Sequence, residues 1–174
     1  MKILKWLLLI IGGLLIAGVG ILLAMGARSG AGTMHSSIEI ARTPAQIWPW
    51  ITEPDKLKAW ISWTAEARRV DDKHMVMVMH DANNGGARME IHDEVIEMDP
   101  PRSLTIRLSS EGMFTGESHW VLTDLGGRTR VESTSHFRYS HWLARLFEPL
   151  IMPEAMKKQA ADYAKLKQLV EGER

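Results

Sequence analysis

The sequence predicts an α+β fold: one antiparallel sheet curled around a long C-terminal helix, preceded by a separate apolar helix. Three observations lead there. From Thr64 to Phe137 the chain alternates apolar and polar residues in short runs, with turn residues every 8–12 positions or so. Helical periodicity is confined to the two ends. Trp6 to Met25 form an uncharged apolar run unlike anything that follows.

The chain has 174 residues, 45% apolar and 24% charged, which suits one average domain. It has no cysteine, so disulfides, thiolate chemistry and cysteine-based metal sites are excluded. Trp6 to Met25 carries no charge and is long enough to cross a bilayer core. Lys2, Lys5 and the α-amino group precede it and Arg28 follows, so its N-terminal side is expected to stay cytoplasmic. A cleaved signal is the alternative. Its apolar region would be shorter, about 7–15 residues, but small residues at Ala24, Gly26 and Ala27 leave cleavage open. Residues 1–27 are thus expected as a single-pass membrane anchor, with the domain outside the cytoplasm. Residues 28–33 (RSGAGT) are expected as a linker and 34–174 as the domain. Setting aside Lys2, Lys5 and Arg28 leaves 18 basic against 21 acidic residues, a net of −3. That balance argues against nucleic acid as a partner.

The domain opens with a strand in which Ile38 and Ile40 alternate with Glu39 and Ala41. Thr43 reads as a helix N-cap with Pro44 at the first helical position. Ile47, Trp48 and Ile51 give that helix an apolar face, and Glu53–Pro54 should end it. Asp55 can cap a second short helix carrying Leu57, Trp60 and Ile61.

Ala65 to Val70 predicts a strand, and His74 to His80 another with methionine on one face and valine on the other. Asn83–Asn84–Gly85–Gly86 is a hairpin signal, because these residues tolerate positive φ. Arg88 to Met98 follows, with Met89, Ile91, Asp93 and Val95 on one face. Asp99–Pro100–Pro101 is a turn, then Leu104, Ile106 and Leu108 alternate with Thr105 and Arg107. Glu117 to Thr123 sets Trp120 and Leu122 against His119 and Val121. After a turn at Gly126–Gly127, Val131, Ser133, Ser135 and Phe137 share a face. Trp142 to Phe147 reads as a short helix interrupted by Pro149 and Pro153. Pro153 then starts a long helix with the stripe Met152, Met156, Tyr163, Leu166 and Val170, widened by Ala155 and Ala160.

Pro44, Trp48, Glu53–Pro54 and Trp60 together resemble the opening of the START-like superfamily, also called SRPBCC or polyketide cyclase/dehydrase-like. LTDLGGRTRVESTSHF is similar to that family's last hairpin, and MPEAMKKQAADYAKLKQLVEGE to its closing helix. The resemblance covers about Met34 to Glu173 and implies a helix-grip fold with a cavity between the helix and the concave sheet. Its motifs mark the fold and carry no catalytic signature. On that implication Trp60, Met77, Met79, Trp120, Met156 and Tyr163 are candidates for the cavity wall, methionine being adaptable on apolar binding surfaces. Ordinary core filling is the competing account of the same residues.

Chemistry has few candidates. Seven histidines invite a metal site, but parity turns His74, His80, His119 and His136 away from the core. No His-x-x-x-His helix, aspartate-rich loop or Gly-x-Ser-x-Gly elbow is present, so neither a metal nor a cofactor is implied. Asp93 stands alone: period two places a carboxylate among apolar residues, where it is costly unless paired. It is the one acid–base candidate. Ser133, with Ser135 on the same face, could offer a hydroxyl to a ligand. Three functions follow as alternatives: a membrane-tethered carrier or sensor of a hydrophobic small molecule or lipid, an enzyme of the cyclase, dehydratase or hydrolase kind using Asp93, and an interaction domain with a closed core.

Overall fold

The computed structural model describes residues 2–29, 32–81, 87–140 and 142–173. The element order is α1 (Lys2–Ser29), β1 (Gly32–Ile40), α2 (Pro44–Thr52), α3 (Pro54–Trp60), β2 (Thr64–Arg69), β3 (His74–Asp81), β4 (Ala87–Asp99), β5 (Ser103–Ser110), β6 (Phe114–Asp124), β7 (Thr129–Tyr139) and α4 (Trp142–Gly172). The strands make one seven-stranded antiparallel sheet in the order β1-β7-β6-β5-β4-β3-β2. Strands β2 to β7 are a meander, and β1 returns to cover the edge of β7. The fold is the α+β helix-grip arrangement that the alternation and terminal helices predict.

Local chemistry explains most boundaries. Gln46 accepts from the Thr43 N–H at 3.0 Å, and Pro44 opens α2 where its missing N–H costs nothing. Glu53 closes α2 by donating its N–H to Pro49 O, and its own carbonyl accepts from Leu57 at the start of α3. The cap of α3 is therefore Glu53, and Asp55 lies one place inside, in the first turn. The buried face of α2 is Ile47, Trp50 and Ile51, while Trp48 is half-buried. Gly126 and Gly127 take φ of 77° and 86° in the β6–β7 turn, a region that disfavours other residues. The hairpin expected at Asn83–Gly86 lies outside the described residues.

Three boundaries differ from expectation. β1 begins at Gly32, six residues before Ile38, because pairing with β7 runs from Gly32↔Phe137 to Ile40↔Thr129. A strand edge supplies hydrogen bonds to any extended partner, so a mostly small and polar segment, Gly32 to Ser37, is recruited despite its composition. The segment read as a linker, 28–33, is entered from both sides: α1 runs to Ser29 and β1 starts at Gly32. Finally, α4 is continuous from Trp142 to Gly172. Pro149 and Pro153 lie inside it, where each removes one N–H donor without ending the helix.

The C-terminal end of α4 is fixed to the β1–α2 junction. Arg42 donates to the carbonyls of Glu171 and Glu173 at 2.7 and 2.8 Å. The Glu171 carboxylate accepts from the Ala41 N–H at 2.7 Å. Glu173 accepts from Lys56 Nζ at 2.9 Å and Trp50 Nε1 at 3.1 Å. The Lys56 hydrogen bond, then that of Trp50, holds the Glu173 carboxyl below the usual carboxylate range.

Beneath this clamp is the packed core: Ile40, Ile47, Val131, Leu166 and Val170 are almost wholly buried. Three rings adjoin it. Tyr163 stacks on Trp120 with centroids 5.8 Å apart, and Trp60 meets both edge-on, at 5.8 and 6.3 Å. Trp60 Nε1 donates to Trp50 O at 2.8 Å, which ties α3 back to α2. We expect Trp60→Ala to cost about 3–5 kcal/mol in a urea melt, as truncation of a buried tryptophan does.

Candidate functional site

The site is a cavity of about 620 Å³ between the concave face of the sheet and α4. Its walls follow from side-chain parity. Met75, Met77 and Met79 on β3 and Met89, Ile91, Asp93 and Val95 on β4 face inward. A bulge between Val95 and Glu97 turns Ile96 out to solvent and brings Met98 to the cavity side. Leu104, Ile106 and Leu108 continue the wall on β5. Trp60 and Tyr163 belong to both the cavity lining and the core, and Trp120 lines the cavity and packs against that core, so the three rings are the boundary between the two.

On α4 the inward positions are Ala144, Glu148, Met152, Ala155, Gln159, Asp162 and Tyr163, spaced three and four apart apart from the last pair. Leu166 and Val170 continue the same face into the core. One helix thus serves both, the cavity from Ala144 to Tyr163 and the core at Leu166 and Val170.

The nominated residues divide. Trp60, Met77, Met79, Asp93, Trp120 and Tyr163 line the cavity. Met156 does not: it is 47% exposed. The helix phase runs through Ala155 and Gln159, and Met156 is one residue, about 100° of rotation, away from it. Ala160 is exposed for the same reason. Ser133 is buried but absent from the cavity wall, and its hydroxyl bonds to the Tyr163 hydroxyl. It positions a floor ring and offers no group to the cavity. Ser135 does line the cavity, with its hydroxyl bonded to that of Ser118 at 2.8 Å.

Sequence reasoning missed the corner formed by Tyr139, Glu148 and Met152. Tyr139 donates to Met152 Sδ at 3.8 Å. Desolvation, then the Glu148 charge, raises its phenol above the ordinary value. Gly32 closes over this corner: a Cβ there would stand 3.2 Å from Glu148 Oε1 and 3.6 Å from the Tyr139 ring. Tyr139 was legible as the next period-two position after Phe137. Glu148 was not, because two prolines hid the continuity of the helix.

Asp93 is the described carboxylate whose buried oxygens have no partner. It is 3% exposed, and neither Oδ1 nor Oδ2 has a hydrogen-bond partner. Its cross-strand neighbours are Met75 and Leu108. Burial alone pushes its carboxyl from the ordinary 3.8 to about 7. Asp162, also buried, has a partner in the Ser62 N–H at 3.2 Å. All six described histidines are exposed, and among the described residues no three His, Asp or Glu side chains stand together as metal ligands.

A curved antiparallel sheet gripping one long helix over an apolar cavity defines the class. The chain belongs to the family described as polyketide cyclase / dehydrase and lipid transport, whose model matches residues 31–171. Solved structures share the fold at low identity. A conserved protein from Geobacillus kaustophilus has a TM-score of 0.69 and 14% identity, over 80% of this chain and 95% of its own. The Zhui aromatase/cyclase from Streptomyces sp. R1128 has 0.63 and 14%, over 81% and 94%. A Rhodobacter sphaeroides protein has 0.63 and 20%, over 82% and 95%. No curated protein matches the sequence.

The buried carboxyl gives a prediction with a definite sign. Its folded value, about 7, lies above the unfolded 3.8, so the folded state holds the extra proton between them. Stability then falls as pH rises through that window, and the loss is complete above pH 7. Asp93→Asn removes the titration. Its stability relative to the parent should therefore be greater at pH 8 than at pH 5, by about 2–3 kcal/mol in urea melts.

Proposed function

We propose that this protein is a membrane-tethered carrier or sensor domain that binds a hydrophobic small molecule or lipid between its sheet and α4. The observation that carries the reading is the cavity. At about 620 Å³ it has the size of a small-molecule site, and its lining is dominated by methionine, branched aliphatic and aromatic side chains. A closed-core interaction domain would have no use for such a space, because unfilled volume in a core lowers stability. The methionines add adaptability, since an unbranched thioether can repack around ligands of different shape.

The tether is α1. Leu4–Ala24 is a 21-residue stretch long and apolar enough to cross a bilayer, and none of it is buried against the domain. A cleaved signal would have the same composition. We favour the anchor because the apolar stretch is longer than a signal's usual core. Lys2 and Lys5 support an N-terminus in the cytoplasm and a domain on the far side.

Asp93 supports a second reading, an enzyme. A carboxyl with a value of about 7 can exchange a proton at neutral pH, as a general acid or base must. One structural neighbour is an aromatase/cyclase.

Two experiments test the proposal. Native mass spectrometry of the full chain from lipid nanodiscs should show a bound apolar molecule. Met77→Trp, which puts an indole into the cavity from β3, should lower its occupancy at least tenfold while the circular dichroism stays the same. In a bacterial host, protease added to intact spheroplasts should digest the domain, and alkaline washing should leave the undigested chain in the membrane fraction. Turnover that falls about a hundredfold in Asp93→Asn would favour the enzyme.

A further inference from the structure

We infer that the cavity takes a cationic amphiphile, an apolar chain ending in a primary or secondary ammonium, with the ammonium seated on the carboxylate of Asp93. The inference rests on the proposed ligand-binding role of the cavity and specifies the chemistry of the ligand's head.

The argument begins with an incomplete site. Asp93 lies in the cavity wall with both carboxyl oxygens buried and without partners. Buried polar groups are hydrogen-bonded in the great majority of cases, so a pair of oxygens left bare needs a reason. The strand geometry shows that the protein does not supply one. On β3 the facing residue is Met75, on β5 it is Leu108, and along β4 the same face carries Ile91 and Val95. None of these side chains can donate a strong hydrogen bond. Whatever occupies the cavity must bring the donors.

The kind of donor follows from the charge. An ionised carboxylate accepts only, and it must be neutralised as well as hydrogen-bonded when buried. A ligand hydroxyl brings one donor and no charge. An ammonium brings two or three donors and the opposite charge, and its N–H···O bonds are of the stronger, charge-assisted kind. An anionic head group would meet the carboxylate with like charge. The remainder of the cavity wall suits the apolar chain of such a molecule.

Among the described residues no cation takes this place. The nearby charged residues in the cavity lining are Arg69, Asp72, Lys73 and His74, from β2, β3 and the turn between them. All four are exposed. Arg69 donates to the Thr52 carbonyl at 2.8 Å, and His74 is bonded to Asp71 at 2.8 Å. Arg107 and Glu94, neighbours of Asp93 in the sheet, have the opposite parity and pair with each other at 2.8 Å. From α4 the titratable groups facing the cavity are Glu148, Asp162 and Tyr163, which carry no positive charge.

The test compares octylamine, octanol and octanoate on the full chain in nanodiscs, with Asp93→Asn in the same nanodiscs so that partition into the bilayer cancels. Bound molecules are counted by native mass spectrometry. At pH 8 octylamine should bind at least about tenfold more tightly than octanol, and octanoate least. Asp93→Asn should abolish the preference for the amine over octanol. Octylamine stays an ammonium from pH 5 to 8, as lysine does, whereas Asp93 must lose a proton to receive it. Amine affinity should therefore fall by about tenfold per pH unit below pH 7, with no such slope in Asp93→Asn. Equal binding of octanol and octylamine, or a preference that survives Asp93→Asn, would overturn the ammonium assignment and leave the carrier reading intact. Absence of binding by all three to both proteins would overturn the two together.

Discussion

The structure depends on the packing of Trp60, Trp120 and Tyr163 across the middle of the grip. These rings come from α3, β6 and α4, three elements distant in sequence, and they meet within 5.8–6.3 Å. Two of them have their polar atom anchored: Tyr163 to Ser133, and Trp60 to the Trp50 carbonyl. Buried aromatics with satisfied polar ends make a rigid partition. On one side of it α4 is packed against β1 and β7, and on the other the cavity lies between α4 and the sheet, with contact kept at the Gly32, Tyr139 and Met152 corner.

That partition explains how a domain of this size sustains a large hollow. Space left empty in a core costs stability, so the part of the fold without the space must carry the rest. Leu166, Val170, Ile40, Ile47 and Val131 do so, and the hydrogen bonds from Arg42, Trp50 and Lys56 to Glu171 and Glu173 fasten the same end of the helix. Dense packing and fastening hydrogen bonds are concentrated at the C-terminal end of α4. The cavity occupies the other end, where the lining is rich in methionine.

Asp93 fits no stabilising role in this scheme. Its two oxygens are buried and bare, and the difference between 3.8 and about 7 makes its ionisation cost roughly 4 kcal/mol. A leucine would pack better there. Groups that weaken a fold in this way are enriched where a protein does chemistry or binds. The contrast with Asp162 is instructive: equally buried and facing the same cavity, it has the Ser62 N–H as a partner.

By itself the sequence determined the sheet, the faces of its strands and the inward position of Asp93. Period-two alternation has one solution once a face must be buried, and that solution is local. It also determined the apolar stretch of α1 and the short helices around Glu53–Pro54, through proline and capping chemistry. Tertiary structure decided the rest. Gly32 to Ser37 became strand because β7 offered an open edge, which no local signal reveals. α4 ran through Pro149 and Pro153, and only its packing settled which side faced inward, to the exclusion of Met156. Ser133 shares the face of Ser135, yet only the reach of Tyr163 from α4 decided that its hydroxyl would be taken. A strand's pleat has two sides and can be phased from a few residues. A helix presents a continuum of directions, and contacts between distant elements select among them.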